Sequence, residues 1–511
     1  MAERRSCSPS CLPAGAAVPG AESAKKLAHC AACAACVVAV VALALIASLP
    51  LIAWVPDIAR HDQQRVGQVL TMTLAWIAAI LVMASGRARS AVLLGFSSRN
   101  LLALVIAAAM VSASLARQPM WAFTEVALGV ASLGLAWIAA MLRRCSGVTA
   151  DRVLLATLAF TCAGLMAQFV VAYLAAVVND EGVLNGWLLL DGFSNPRFYG
   201  QFLTLALPML MAPLLARGGL HRYAWMSGFL AVLVWTAAIT SGTRGTWLGL
   251  ACAVVVLACI GPAGRRWAAL QVSVFGVGVL VYWFAFTMVP DVLGTVVAFH
   301  AASKLSTSLS GREIIWGQAI EVALRHPLLG IGPMQLADLP NGVAAHPHQA
   351  WLQWAAELGL PSALLVSALV VYSAYRLISS LRKVVAWRHE QPVLRLCLTG
   401  SMVAGLAQAM VDGVLVMPYS QLWLAVLAGW LAGLQSQAVS HASVAPTARA
   451  LSWQWLTLLS AAVAMLGFIV IRDYPNLKQR EEIFAHTFGG HAQPRFWAQG
   501  LIANRRLDEV R

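Results

Sequence analysis

Charge is what this sequence has least of. Only 11% of its 511 residues are Asp, Glu, Lys or Arg, while 60% are hydrophobic; a soluble domain carries ~25% charged residues. With a mean hydropathy of +0.75, that composition excludes a soluble globular protein and leaves an integral membrane protein. Ionisable groups are scarcer still inside the apolar runs. Glu125 and Asp412 come nearest to lying within one, each within about two turns of an expected outer end. Ion-coupled transporters and pumps bury such groups near the midplane, often on broken helices, so their scarcity argues against that class. No internal repeat is visible, and no soluble stretch is large enough to fold alone. Cysteine is missing from every loop expected outside, so structural disulfides are not expected. The run Cys30-x-x-Cys33-x-x-Cys36 has no His or acidic partner and reads as small-residue helix packing rather than a metal site.

What is present is a long series of apolar runs. They lie at about 30–55, 66–85, 100–116, 120–142, 153–178, 197–216, 223–239, 246–264, 268–289, 361–377, 394–412, 420–436 and 454–471, each near the ~20 residues that cross a bilayer. The expected fold is all-α: a polytopic transmembrane helix bundle of about 12–13 spans with one large helical external loop. Residues 1–28 read as a disordered tail, 29–471 as the bundle, 290–360 as the loop and 472–511 as a C-terminal tail. The first run is too long for a cleaved signal segment and reads as an uncleaved anchor.

The formal net charge of +14 suggests nucleic acid until the charges are placed. More than half of the 35 lysines and arginines fall in segments that are inside if the N-terminus is inside, among them Arg4, Arg5, Lys25, Lys26, Arg143, Arg144, Arg265, Arg266 and Arg382. The positive-inside rule then sets the orientation with the N-terminus cytoplasmic, and 290–360 and 473–511 external. No nucleic-acid partner is called for; the partner is the lipid bilayer.

Against that trend, three arginines sit where external segments meet the membrane: Arg197, Arg244 and Arg312. Gly242, Gly245 and Gly311 beside them would let a backbone approach a ligand closely. Each arginine alone reads equally well as a snorkelling anchor. Three on one face point to a shared anionic site, since guanidinium forks suit phosphate oxygens and stay charged at any working pH. Within 310–360, Ile314, Ile315, Ala319, Ile320, Ala323 and Leu324 recur at helical spacing. Pro327, Gly330, Gly332 and Pro333 stop that helix. His346-Pro347-His348 follows, then a second amphipathic run with Trp351, Leu352, Ala355 and Leu358. The histidine pair is either structural, bonding a backbone carbonyl, or a general base; an imidazole pKa near 6.5 lets it take a proton from a hydroxyl. Two histidines alone make a weak zinc site.

These motifs, taken in order, resemble the O-antigen ligase superfamily. They are Gly311-Arg312-x-x-x-Trp316, His326-Pro327-Leu328-Leu329-Gly330-Ile331-Gly332 and His346-Pro347-His348-Gln349-x-x-Leu352-Gln353, preceded by Ser241-Gly242-Thr243-Arg244-Gly245. Asn195-Pro196-Arg197, Val411-Asp412-Gly413 and Met417-Pro418-Tyr419 are similar to further segments of its members, so the shared core covers roughly 190–435. Gln349 stands where many members carry Asn; the amide is kept. The resemblance implies transfer of a glycan from undecaprenyl diphosphate to an acceptor hydroxyl on the periplasmic face of the bacterial inner membrane, without metal or other cofactor. The acceptor would be lipid A-core for a ligase, a growing glycan for a polymerase, or a protein such as a pilin for an oligosaccharyltransferase. It implies catalytic roles for His348, Arg312 and Arg244, and a substrate-binding set of Arg197, His346, Gln349 and Asp412. The rival from another class is a transporter or flippase of lipid-linked sugars, which should show midplane charges or repeated halves.

Overall fold

The computed structural model describes residues 19–85, 96–178, 183–298, 311–339, 341, 343–384, 389–436, 447–488, 493–500 and 502. Residues 1–18 of the expected tail, with Cys7 and Cys11, lie outside the described residues, as does Ser310 of the loop motif. The chain is a helix bundle with helices α1 (Pro19–Ser48), α2 (Arg60–Ala84), α3 (Phe96–Ser114), α4 (Pro119–Val178), α5 (Pro196–Leu210), α6 (Ala212–Leu215), α7 (Ala224–Thr240), α8 (Arg244–Ala258), α9 (Pro262–Trp283) and α10 (Val289–Leu293). It continues with α11 (Arg312–Arg325), α12 (Ala350–Leu358), α13 (Leu360–Arg382), α14 (Glu390–Ala409), α15 (Pro418–Ser436), α16 (Thr447–Asp473) and α17 (Leu477–Phe488). The strand content among the described residues is one short parallel pair, β1 (Val183–Leu184) on β2 (Val296–Val297).

Every apolar run of the sequence falls on a helix. Seven helical stretches are long and apolar enough to cross a membrane, and α8 and parts of α1 and α3 are shorter apolar helices. The 60-residue α4 holds two runs, because Gly147 (φ 54°, ψ −130°) breaks it into a hairpin. Across that break Arg143 Nε meets Asp151 Oδ1 at 2.5 Å, both buried, and Asp151 also accepts from Trp430 Nε1 at 2.8 Å. In a bundle that faces lipid, the expected inversion is that apolar side chains point outward as well as inward. Leu364, Val371 and Tyr375 of α13 and Leu280 of α9 are exposed in this way. The stretch Pro196–Leu215 is the opposite case, with 89% of its apolar window buried against 11% for Leu360–Arg382. Helix α5 is therefore the axis, with α4, α7, α8, α14 and α15 packed round it.

Polar contacts collect at two ends of this bundle. At one end, Arg60 meets Asp191 (3.2 Å), Lys478 meets Asp57 (3.5 Å) and Arg117 meets Asp338 (3.4 Å). At the other, Leu220 N donates to Glu390 Oε1 (3.1 Å), Arg382 Nη2 to Cys259 O (3.4 Å) and Arg395 Nη2 to Ser380 Oγ (2.8 Å). Helices α5, α7, α8, α14 and α15 each run from one end to the other.

Two elements differ from the sequence-based expectation. Helix α1 begins at Pro19, inside the stretch expected to be a tail. Helix α2 begins at Arg60 rather than near 66, so Arg65, expected in a loop, is a fully buried helical residue. Hydrogen bonding makes this tolerable: its guanidinium donates to Phe496 O (2.9 Å), Arg495 O (2.8 Å), Val416 O (2.9 Å), Gln68 Oε1 (2.5 Å) and Gln421 Oε1 (2.9 Å). A buried charge costs little only when its donors are spent in this way.

Candidate active site

The three arginines each open a helix. Arg197 is the second residue of α5, after Pro196 and the N-cap Asn195, whose Oδ1 accepts from Arg197 N at 2.8 Å. Arg244 is the first residue of α8, reached through Gly242 (φ 62°) and Thr243. Arg312 is the first residue of α11, after Gly311 (φ 79°). A cation at a helix N-terminus opposes the helix dipole, which prefers an anion there by ~0.3–1 kcal/mol. Three helices that each place a guanidinium at that end add a positive potential that a bound anion would relieve.

These starts lie close together. Thr243 Oγ1 reaches Pro196 O at 3.5 Å, and a Cβ on Gly200 would meet Thr246 Oγ1 at 2.7 Å and Thr243 Oγ1 at 2.9 Å, so only glycine lets α5 and α8 approach this closely. The Arg312 pKa is lowered by its burial and by Arg197 and Arg244, against the pull of Asp412. Arg197 is exposed, Arg244 and Arg312 are half-buried, and Asp412 is buried, so the cluster deepens from an open cationic rim to an anionic floor.

The histidine turn closes one side. Trp316 Nε1 of α11 donates to Pro347 O at 2.9 Å. His348 takes a left-handed backbone (φ 53°), unusual for a residue with a side chain and held only where its surroundings demand it. Its Nδ1 lies 3.8 Å from Asp412 Oδ1, facing it beyond hydrogen-bond length. Asp412 sits between α14 and α15 with Oδ1 accepting from Gly413 N (2.8 Å) and Oδ2 from Gln408 Nε2 (3.3 Å). Burial, then Arg197 and Arg312, push the His348 pKa down to about 3. Burial raises that of Asp412, opposed by the Gly413 N–H, Arg197, Gln201 and Arg312.

His346 and Gln349 are placed differently from the rim. His346 is buried, its Nδ1 accepts from His348 N at 3.2 Å, and its ring lies edge-on to that of His348 with centroids 4.2 Å apart. Burial first, then His348, Arg495 and His61, hold its pKa well below the ordinary value. Gln349 Oε1 caps α12 by accepting from Leu352 N. Both side chains shape the turn from within. Arg197, Arg244, His348 and Asp412 therefore all lie within electrostatic reach of Arg312, with His346 and Gln349 in the turn that carries His348.

Several contributors carried no readable signal in the sequence. Gln408 links Asp412 to Thr246 Oγ1 (3.4 Å), and its Oε1, like Gln201 Nε2 and His348 Nδ1, is buried without a hydrogen-bond partner. Spacing could have suggested Gln408, one helical turn before Asp412. Among the described residues no group of three or more His, Cys, Asp or Glu could hold a metal ion.

Residues 229–367 match the family model for O-antigen ligase (Wzy_C). No curated protein matches the sequence. The match runs from α7 into α13 and includes Arg244, Arg312, His346, His348 and Gln349. With the apolar helices, it supports a multi-pass membrane protein with glycosyl transfer of the ligase or polymerase type, working on lipid-linked glycan and acceptor substrates. Through this segment, which carries Arg244, Arg312 and the histidine turn of the site, the chain is similar to the O-antigen ligase superfamily over residues 229–367.

Proposed function

We propose that the chain transfers an oligosaccharide or polysaccharide from undecaprenyl diphosphate to an acceptor hydroxyl on the periplasmic face of the inner membrane, the favoured reaction being ligation of O-antigen to lipid A-core. The observation that carries this reading is the convergence of Arg197, Arg244 and Arg312, each at a helix start, beside a histidine backed by a carboxylate. The diphosphate of the donor is the anion of matching charge at a membrane surface, and it is already an activated leaving group. The guanidiniums neutralise it as the bond to the sugar breaks, which is the charge stabilisation the reaction needs.

His348 is the base. With Nδ1 turned to Asp412, Nε2 is left for the acceptor hydroxyl. That nitrogen takes the hydroxyl proton, the freed oxygen pair forms the new bond to the anomeric carbon, and the bond from that carbon to the diphosphate oxygen breaks. The electron pair leaves with undecaprenyl diphosphate, held by the arginines. Attack opposite the leaving group inverts the anomeric configuration. Asp412, 3.8 Å from Nδ1, is the carboxylate placed to stabilise the imidazolium as it forms.

The test is a gene deletion read on lipopolysaccharide and glycoprotein gels, complemented with wild type or His348→Ala. Loss of the long lipopolysaccharide ladder on deletion, restored by wild type and not by His348→Ala, is the expected result. A single-repeat band would make the chain a polymerase, and a mobility shift in one protein an oligosaccharyltransferase. Full complementation by His348→Ala would remove the base assignment.

A further inference from the structure

The C-terminal segment beyond α17 lies outside the family match, yet two of its neighbours in sequence, Phe496 and Trp497, are among the largest fully buried side chains of the molecule. The reading that follows rests on the glycosyl transfer proposed above. We propose that Arg495 is a positioning residue of the transfer site, locking the segment 493–500 behind the histidine turn and thereby fixing the orientation of His348.

The geometry ties this one segment to both supports of His348. The first support is Asn341 and the segment 343–346. Gln493 Nε2 donates to Asn341 O (3.3 Å), and Asn341 Oδ1 in turn accepts from Val343 N and Ala344 N, both at 2.9 Å. A Cβ on Gly500 would sit 3.2 Å from that of Ala345. The second support is the loop that carries Asp412. Arg65 holds Arg495 O and Phe496 O with two of its nitrogens while donating to Val416 O of that loop. Between these two lies the Arg495 side chain, 1% exposed. Its Nη2 is 2.7 Å from Glu357 Oε2 of α12 and 3.6 Å from Glu125 Oε1 of α4. With its amide turned to satisfy both of its ends, Gln353 accepts from Nη2 and Nη1 at 3.0 and 3.1 Å. Glu357 Oε1 accepts from Leu336 N (3.3 Å), so the other flank of the loop is held as well.

A buried ion pair is a poor means of gaining stability, since apolar side chains of similar volume serve as well or better. What it fixes is direction. The left-handed backbone of His348 needs such over-determination, and helix α12, which starts two residues further on at Ala350, is the element that Arg495 grips.

The test compares wild type with R495M and with the double variant R495M/E357L, which removes both members of the fully buried pair and leaves only the part-exposed Glu125 without its partner, so the fold stays testable if the single variant is lost. Both are purified in detergent and assayed with the lipid-linked donor. The expected result for the double variant is an unfolding midpoint close to wild type, donor KM within about twofold and kcat reduced about tenfold or more. R495K, keeping the charge without the fork, should fall between. Peptide-resolved carbethoxylation of His348 should rise severalfold in the double variant, a readout that needs no turnover. Unchanged kcat with unchanged carbethoxylation would reduce the segment to a structural seal and overturn the proposal. If wild type transfers no glycan while carbethoxylation still rises, the positioning role stands and the functional reading falls.

Discussion

At the residue scale the site turns on one imbalance. His348 is assigned as a base, yet burial, Arg197 and Arg312 hold its pKa down to about 3, which makes it unprotonated at neutral pH but a weak acceptor of protons. Two of those three causes are the guanidiniums that the donor would neutralise. A bound diphosphate therefore raises the basicity of His348 when an acceptor needs it, and the base is strengthened only in the presence of the leaving group. The charged neighbours are Arg197 from α5, Arg244 from α8, Arg312 from α11 and Asp412 from the α14–α15 loop, with His346 held neutral beneath. The expected pH profile follows from this. On acidification, kcat, which reports the donor complex, should fall about one unit or more above the pH at which kcat/KM for the donor falls. Coincident acid limbs would mean that the donor does not sit against these arginines. Stability moves in the same range. The folded pKa lies below the ordinary 6.5, so the unfolded chain takes up the proton first. Stability is full above about 6.5 and is lost as the pH falls towards 3, so unfolding must be followed alongside activity.

At the element scale, five chain segments meet at the site, and how closely they pack is set by what they lack. A Cβ on Gly413 would lie 2.6 Å from Cε1 and 3.0 Å from Nε2 of His346. That close approach seats the His346 ring against the loop of Asp412, and the same ring receives the backbone N–H of His348. Gly413→Ala should push the ring back and turn His348 away from Asp412. Overpacking of this kind costs ~1–3 kcal/mol, so the variant should remain folded in detergent while its kcat falls about tenfold at unchanged donor KM. Equal loss in binding and turnover would indicate general disorder of the turn instead.

The same elements show what was legible in the sequence. Helices α11 and α12 were readable because periodic apolar residues sit between Gly and Pro stops, and each apolar run lies on a helix for the same reason. The arginines at helix starts were legible as charges against the positive-inside trend; that each stands in the first turn of a helix was not, because N-termini are set by neighbouring turns such as Asn195-Pro196 and Gly242-Thr243. Arg65 and Arg495 could not be read as buried. Nothing local distinguishes a solvated arginine from one whose donors are met by carbonyls more than 350 residues away, as those of Arg65 are by Val416, Arg495 and Phe496.

At the scale of the whole molecule, the two polar ends of the bundle sort the ionisable residues. Arg143, Arg382, Arg395 and Glu390 make their contacts at one end, and Arg60, Arg117, Asp191 and Lys478 at the other. In the orientation we propose from the positive-inside rule, the end with more cations in short loops is cytoplasmic and the arginine–histidine site faces outward. The orientation has a direct consequence for chemistry, because a donor must be on the face where the site opens. Single cysteines introduced into a cysteine-free background report it. D291C and K478C, on the site side, should react with a membrane-impermeant maleimide in spheroplasts, whereas R217C, at the far end beside the Glu390 contact, should react only after permeabilisation. The reverse pattern would place the site in the cytoplasm, where a periplasmic acceptor is out of reach, and the transfer reaction proposed for it would have to be replaced by one using a donor and acceptor on that side.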